Sequence, residues 1–278
     1  MDRNSILIEA DELLSKLENK NLRIFDTTIL FFGNASDLTA KEKYEKEHIP
    51  GAAFFDHNNF SEPNSDYMLM VASEAEISAQ IGNIGISENS EIVVYAPGIL
   101  PAATRAWWIL HYAGHRNVRI LNGGLDAWKK AGGEVEQGER HYAPVEYKGL
   151  FKRKMLVSKN EVMEAMKESK VCVENALMNE SYQAAHITGS TCLPCTDLML
   201  GMDAFVEQNL ITEKLKKGLG FKRIITYCGG GIAATVNAVA HFMIGNENVA
   251  VYDGSMYEWM SEGLPITETG DGNWAIWE

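Results

Sequence analysis

The chain has 278 residues, which suits two ordinary domains better than one core. Hydrophobic residues at 46%, charged residues at 23% and only 7 prolines exclude a largely disordered chain. A formal net charge of -13 surrounds it with a negative potential that disfavours nucleic acid and anionic membrane surfaces as partners.

The first residues, MDRNSILIEADELLSKL, hold no cationic start followed by an apolar run, and their acids argue against an organellar presequence. No stretch approaches the apolar length needed to cross a bilayer. The 4 cysteines do not make the disulfide framework of a small secreted domain, so a reducing cytoplasm is the expected address.

Along the chain, Arg23-Ile-Phe-Asp26 is a short apolar run ending in acid, and His48-Ile-Pro-Gly51-Ala52 is a turn. Residues 92–135 then alternate a strand, a Gly or Pro turn, a helix of apolar spacing and a second strand from Val118 to Leu121. The polar stretch from Gln137 to Lys154 lacks helical periodicity and reads as a linker. After it the same features return. Val171-Cys-Val-Glu174 matches the acid-ended run, and His186-Ile-Thr-Gly189-Ser190 matches the turn. Residues 224–266 match 92–135 almost without gaps, pairing Tyr95 with Tyr227, Ala102-Ala103-Thr104 with Ala233-Ala234-Thr235, Val118 with Val249, and Trp128 with Trp259. Repetition over more than a hundred residues points to a duplicated domain. The expected organisation is residues 1–140, a linker at 141–154, and residues 155–278. Each half is expected to be α/β, a small parallel sheet flanked by helices on both faces.

The chemistry is expected where the copies differ. At the end of the central strand the first half has Ala96 and the second has Cys228, followed by Gly229, Gly230, Gly231, Ile232 and Ala233 and a helix from about Ala234. Glycines let successive N–H groups converge on one centre, and a helix N-terminus adds partial positive charge. Such a cradle favours a thiolate, and would hold the anion of a terminal sulfur bonded to it, so one loop can serve both halves of a ping-pong cycle.

These residues resemble the tandem-domain rhodanese family of thiosulfate and 3-mercaptopyruvate sulfurtransferases, over nearly the whole chain. The resemblance rests on His48-Ile-Pro-Gly-Ala-Ala-Phe-Phe-Asp56, on Arg105-Ala-Trp-Trp108 through Asn122-Gly-Gly124, on Pro194-Cys-Thr-Asp197 and on Tyr252-Asp-Gly-Ser-Met-Tyr-Glu-Trp259. It implies two tandem rhodanese-like domains, the first non-catalytic, with a site in the cleft between them and no cofactor or metal. It further implies that Cys228 carries a persulfide, that Gly229 to Ala233 bind the anion, and that Asp56 reaches the cleft from the first half. Tyr67 stands where the mercaptopyruvate branch has a histidine, and Arg105 is the nearest remaining family arginine. The implied partners are a small anionic sulfur donor and a thiol, cyanide or thioredoxin-like acceptor. The family's loop serine is absent, Gly230 standing in its place, and the loop holds no basic residue, so weak affinity for small anionic donors is expected.

Other readings fare less well. A phosphatase needs an arginine six residues after its cysteine, where this chain has Ala234. Gly229-x-Gly231-x-x-Ala234 with Asp253 fits a loose dinucleotide fingerprint, but only 25 residues follow Asp253, too few for the rest of such a sheet. Cys192-Leu-Pro-Cys195 is open to a redox pair or half a zinc site, with two semi-buried thiols preferred. The alternative to an enzyme is a rhodanese-like binding or sulfur-sensing module, against which the retained Cys228 and its glycines argue.

Overall fold

The short apolar runs assemble into two five-stranded sheets of one design. In the computed structural model, which describes residues 1–30, 37–269 and 272–275, the first sheet runs from edge to edge as Leu7–Ile8, Val118–Leu121, Glu91–Tyr95, Leu22–Asp26 and Ala53–Phe54, every neighbouring pair parallel. The second runs Leu156–Val157, Val249–Tyr252, Arg223–Tyr227, Val171–Asn175 and Thr191–Cys192, again all parallel. Parallel neighbours require crossovers, and these carry the helices that cover the sheet faces. The strand Glu91–Tyr95 shows the resulting alternation. Ile92 and Val94 join a hydrophobic cluster that continues into the second half, while Val93 and Tyr95 pack with Trp128 on the other face. No helix among the described residues is long and apolar enough to cross a membrane.

Register corrects one expected match. Tyr95 lies opposite Asp26 and its repeat partner Tyr227 lies opposite Asn175, so Asp26 corresponds to Asn175 and not to Glu174. A slip of one residue sends a strand side chain to the opposite face. Glu174 accordingly accepts a hydrogen bond from the Asn237 amide at 3.0 Å, on the Ala234–Met243 helix.

The halves meet through the helices Leu100–Tyr112 and Ala234–Met243, in which every residue is buried. Repeat-related residues touch across this seam. The hydroxyls of Thr104 and Thr235 lie 2.8 Å apart, which places a pseudo-twofold axis between them. Small residues near them allow close approach, and further along Trp107 packs edge-on against Phe242 with centroids 5.7 Å apart. Each half also sends an arm to the other. Phe205 of the second half donates its N–H to Asn122 Oδ1 at 2.9 Å, and Val71 of the first half donates to Asp253 Oδ2 at 2.6 Å. Asn122 and Asp253 occupy the same repeat position.

The segment 141–154, expected as a linker, is docked along the first half up to the turn Arg153–Met155. Tyr142 donates its hydroxyl to Gly51 O at 2.7 Å, Val145 N–H bonds Gly82 O at 2.9 Å, and Tyr147 donates to Ala113 O at 3.1 Å.

Asp26 is fully buried beside Tyr95. Its Oδ1 accepts from Thr28 N–H at 2.9 Å and the Thr28 hydroxyl at 2.6 Å, while Oδ2 has no partner among the described residues. Burial pushes the carboxyl up to about 6 from its ordinary 3.8, against the hydrogen bonds from Thr28, which pull it down. Between pH 3.8 and 6 the folded state therefore holds a proton that the unfolded chain has released, and stability falls as pH rises through that window. Urea unfolding of wild type and Asp26→Asn across pH 4 to 7 should show the variant gaining on wild type, by roughly 3 kcal/mol at most, and then levelling above about pH 6. A constant difference between the two proteins across that range would contradict this account.

Candidate active site

Cys228 lies at the C-terminal end of the strand Arg223–Tyr227, only 2% exposed, and the loop 229–233 carries the chain into the Ala234–Met243 helix. Gly231 holds φ +73, and a Cβ there would stand 2.4 Å from Asp253 Oδ1, so conformation and space both demand glycine. The loop is tied from below by Ser255, which sits at φ +50, a left-handed conformation uncommon outside glycine. Its buried hydroxyl accepts from Cys228 N–H at 3.0 Å and Gly231 N–H at 3.1 Å, and donates to Tyr252 O at 2.7 Å.

That arrangement revises the expected cradle. The Gly231 N–H is spent on Ser255, whereas the N–H groups of Gly229, Gly230, Ile232 and Ala233 find no acceptor among the described residues. Ala233 caps the following helix without a side-chain hydrogen bond, which leaves that N-terminus open as well. Four donors without an acceptor among the described residues, and a helix end beside one sulfur, make the loop suited to an anion.

Two expected site residues sit elsewhere. Arg105 is fully buried beneath the loop, donating from Nη1 to Gly231 O at 3.0 Å and to Asp253 Oδ1 at 2.8 Å, and from Nη2 to Leu69 O. A guanidinium buried this deeply needs a carboxylate and carbonyl partners, so Arg105 clamps the loop and does not face the cavity. Asp56 accepts from Asn58 N–H and Nδ2, both at 2.9 Å, and caps the turn His57–Phe60; it does not line the cavity either. Tyr67 does, with its hydroxyl 2.7 Å from Ser261 Oγ. Asp253 spends both carboxylate oxygens on Arg105 and Val71, which leaves it none for a ribose.

Cys228, Gly229, Gly230, Ile232 and Ala233 line a cavity of about 930 Å³ between the halves. The two arms contribute Tyr67 and Met68 from one side and Met199 and Met202 from the other. Cys195 shares this cavity, while Cys192 turns away toward Leu177 O and Asn179, so the Cys-Leu-Pro-Cys segment splits its two thiols. Burial pushes Cys195 up to about 12, and negative charge on Cys228 adds to the shift, which keeps Cys195 a neutral thiol. All four cysteines are free, and among the described residues no three His, Cys, Asp or Glu side chains gather as metal ligands.

Sequence reasoning passed over Ser255, although a signal was available. Ser255 stands where the first half has Gly124 at φ +53, a difference between the copies of the same kind as Cys228 against Ala96. Removing its hydroxyl strands two buried N–H groups, so Ser255→Ala should lower unfolding free energy by roughly 1–3 kcal/mol. Ser255→Gly should lose less, because glycine relieves the left-handed backbone. Denaturant titration of the two variants checks the order; equal losses would mean that the conformation stores no strain.

The geometry has counterparts among known proteins. The profile of the Rhodanese-like domain matches twice, over residues 9–131 and 158–262. The thiosulfate sulfurtransferase of Rattus norvegicus is 29% identical over 279 residues, covering 95% of this chain and 93% of that protein. A 3-mercaptopyruvate sulfurtransferase of Escherichia coli is 27% identical over 272 residues, covering 93% and 96%. The crystal structure of SseA from Escherichia coli, described as a 3-mercaptopyruvate sulfotransferase of the rhodanese fold, superposes with a TM-score of 0.81 at 26% identity, covering 90% of this chain and 98% of that one. With two such matches spanning most of its length and the same sheet built twice, the chain belongs to the rhodanese-like family.

Proposed function

We propose that the protein is a sulfurtransferase in which Cys228 carries the transferred sulfur as a persulfide. The observation that carries this reading is the buried Cys228 on the cavity wall, followed by a loop with four N–H groups that have no acceptor among the described residues. In the first half-reaction the Cys228 thiolate attacks the outer sulfur of a donor. With thiosulfate, the S–S bond breaks and its electron pair leaves with sulfite; with 3-mercaptopyruvate, the C–S bond breaks and the carbon takes up a proton to give pyruvate. The negative charge resides first on Cys228 Sγ and then on the terminal sulfur, and the loop N–H groups favour it in both positions. In the second half-reaction a thiolate or cyanide attacks the terminal sulfur and returns Cys228 as thiolate, which makes the cycle ping-pong.

The two halves divide the labour, with residues 1–140 non-catalytic and residues 155–278 carrying the nucleophile. The first half supplies the far wall through Tyr67 and Met68, and Arg105 holds the loop in place through Gly231 O. The relatives' names supply thiosulfate and 3-mercaptopyruvate as donors to try. Neither finds a lysine, arginine or histidine among the lining residues, so both should load Cys228 with weak affinity.

Purified protein incubated with either donor at high concentration, desalted and weighed intact should gain one sulfur atom, and Cys228→Ser should gain none. Absence of the added sulfur with both donors would sink the persulfide and favour a binding module.

A further inference from the structure

We infer that this cavity favours as acceptor a bulky apolar thiol without a carboxylate over cyanide and over carboxylated thiols; the inference rests on the reading of Cys228 as a sulfur carrier. Size is the first argument. A space of about 930 Å³ lies at the upper end of what drug-sized ligands occupy, far beyond what cyanide or sulfite would fill. The second is the wall. Ile29, Leu30, Ile99, Met199, Met202 and Trp274 present hydrocarbon, indole and thioether from both halves. Two of these are methionines, whose flexible side chains fit varied apolar shapes.

Charge is the third argument. Among the described lining residues Asp66 is the only carboxylate, and no lysine, arginine or histidine is present. Residues 31–36, 270–271 and 276–278 add no cation either, since they read FFGNAS, GD and IWE. Arg105, the cation nearest the loop, is committed beneath it to Asp253 Oδ1 and two carbonyls. The unpartnered N–H groups belong to the loop beside Cys228, where they serve the reacting sulfur. A carboxylate further along an acceptor would surrender its hydration for, at best, neutral hydroxyls such as those of Tyr67, Thr196 and Ser261, with no cation among the described lining residues, and the net charge of -13 opposes its entry. An alkyl or aryl body gains by leaving water, by about 0.8 kcal/mol per methylene, which is about fourfold in affinity.

The transfer itself needs no further reactant. The acceptor thiol loses its proton to solvent and its sulfur bonds to the terminal sulfur of the persulfide. The bond from that sulfur to Cys228 Sγ breaks, its electron pair remains on Sγ, and the acceptor departs as an organic persulfide.

Two readouts test this. In the first, isothermal titration of the Cys228→Ser protein with straight-chain alkanethiols from ethane- to octanethiol, and with ω-carboxylated thiols of equal length, reads the cavity without any sulfur transfer. Affinity should rise about fourfold per methylene, with each carboxylated thiol at least about tenfold weaker than its partner. Met202→Lys on the same background should narrow that gap by bringing a cation to the wall. In the second, wild type loaded with thiosulfate and desalted is discharged by the same two series, and rate constants should follow the same order. A flat dependence on chain length, or carboxylated thiols that match or beat their partners, would overturn the inference even where Cys228 loads normally. Failure to load, with the length dependence intact in the titration, would instead overturn the sulfurtransferase reading and leave the cavity's apolar preference standing.

Discussion

The site depends on one buried ion pair between the halves. Arg105 and Asp253 lie 2.8 Å apart with both side chains almost fully out of water, and a pair so placed is costly to break because each charge would be left alone. Such pairs contribute more to geometry than to net stability, and here the geometry is that of the loop after Cys228. One guanidinium holds Gly231 O from the second half and Leu69 O from the first, so the loop and the arm that roofs the cavity share a single anchor. The charge reaches further. His57 is fully buried, and burial together with the nearby Arg105 cation pushes its imidazole down to about 3. A neutral ring 3.1 Å from Thr27 O must carry its proton on Nε2, which settles the tautomer beneath the roof.

Duplication explains why the pair occurs once. Asn122 and Asp253 hold the same repeat position, and each accepts an N–H from the other half's arm. The neutral amide of Asn122 needs no counter-ion, and the repeat partner of Arg105 is Val236. The acid at 253 requires a cation, and the first half supplies it. Ala96 and Gly124 replace Cys228 and Ser255 in the same pattern, so the copy without the cysteine also lacks the hydroxyl that braces the loop after it. Departures from the pseudo-twofold therefore gather around one sulfur, while the paired hydroxyls of Thr104 and Thr235 preserve the symmetry at the seam.

Much of this was legible in residue order. The repeat, the strands Val118–Leu121 and Val249–Tyr252, and the cysteine leading a glycine loop into a helix all follow from period and composition. What escaped was direction. Asp56 and Arg105 were singled out by the family resemblance, but a matching position does not say that one faces its own turn and the other runs under the loop. The match of Asp26 with Glu174 failed by one residue because an acid drew the eye where register, read from Tyr95 and Tyr227, points to Asn175. The arms are harder still. Residues 67–71 and the hairpin Met199–Leu200 with Ala204–Phe205 have little periodicity, and their places follow from contacts with the opposite half.

The cavity holds two thiols, Cys195 and Cys228, and its construction treats them differently. Cys195 sits on the turn Cys195–Leu198, where burial raises its thiol more than the N–H groups of Thr196 and Cys195 itself lower it. Cys228 sits against N–H groups that have no acceptor among the described residues, and negative charge on it would disfavour ionisation of Cys195 further. The same wall that keeps Cys195 neutral also excludes the cations a small anion would need. The proposed role of Cys228 and the inferred preference for apolar acceptors thus trace to one feature of the sequence, which surrounds the loop with hydrocarbon and leaves the main chain as the source of positive potential.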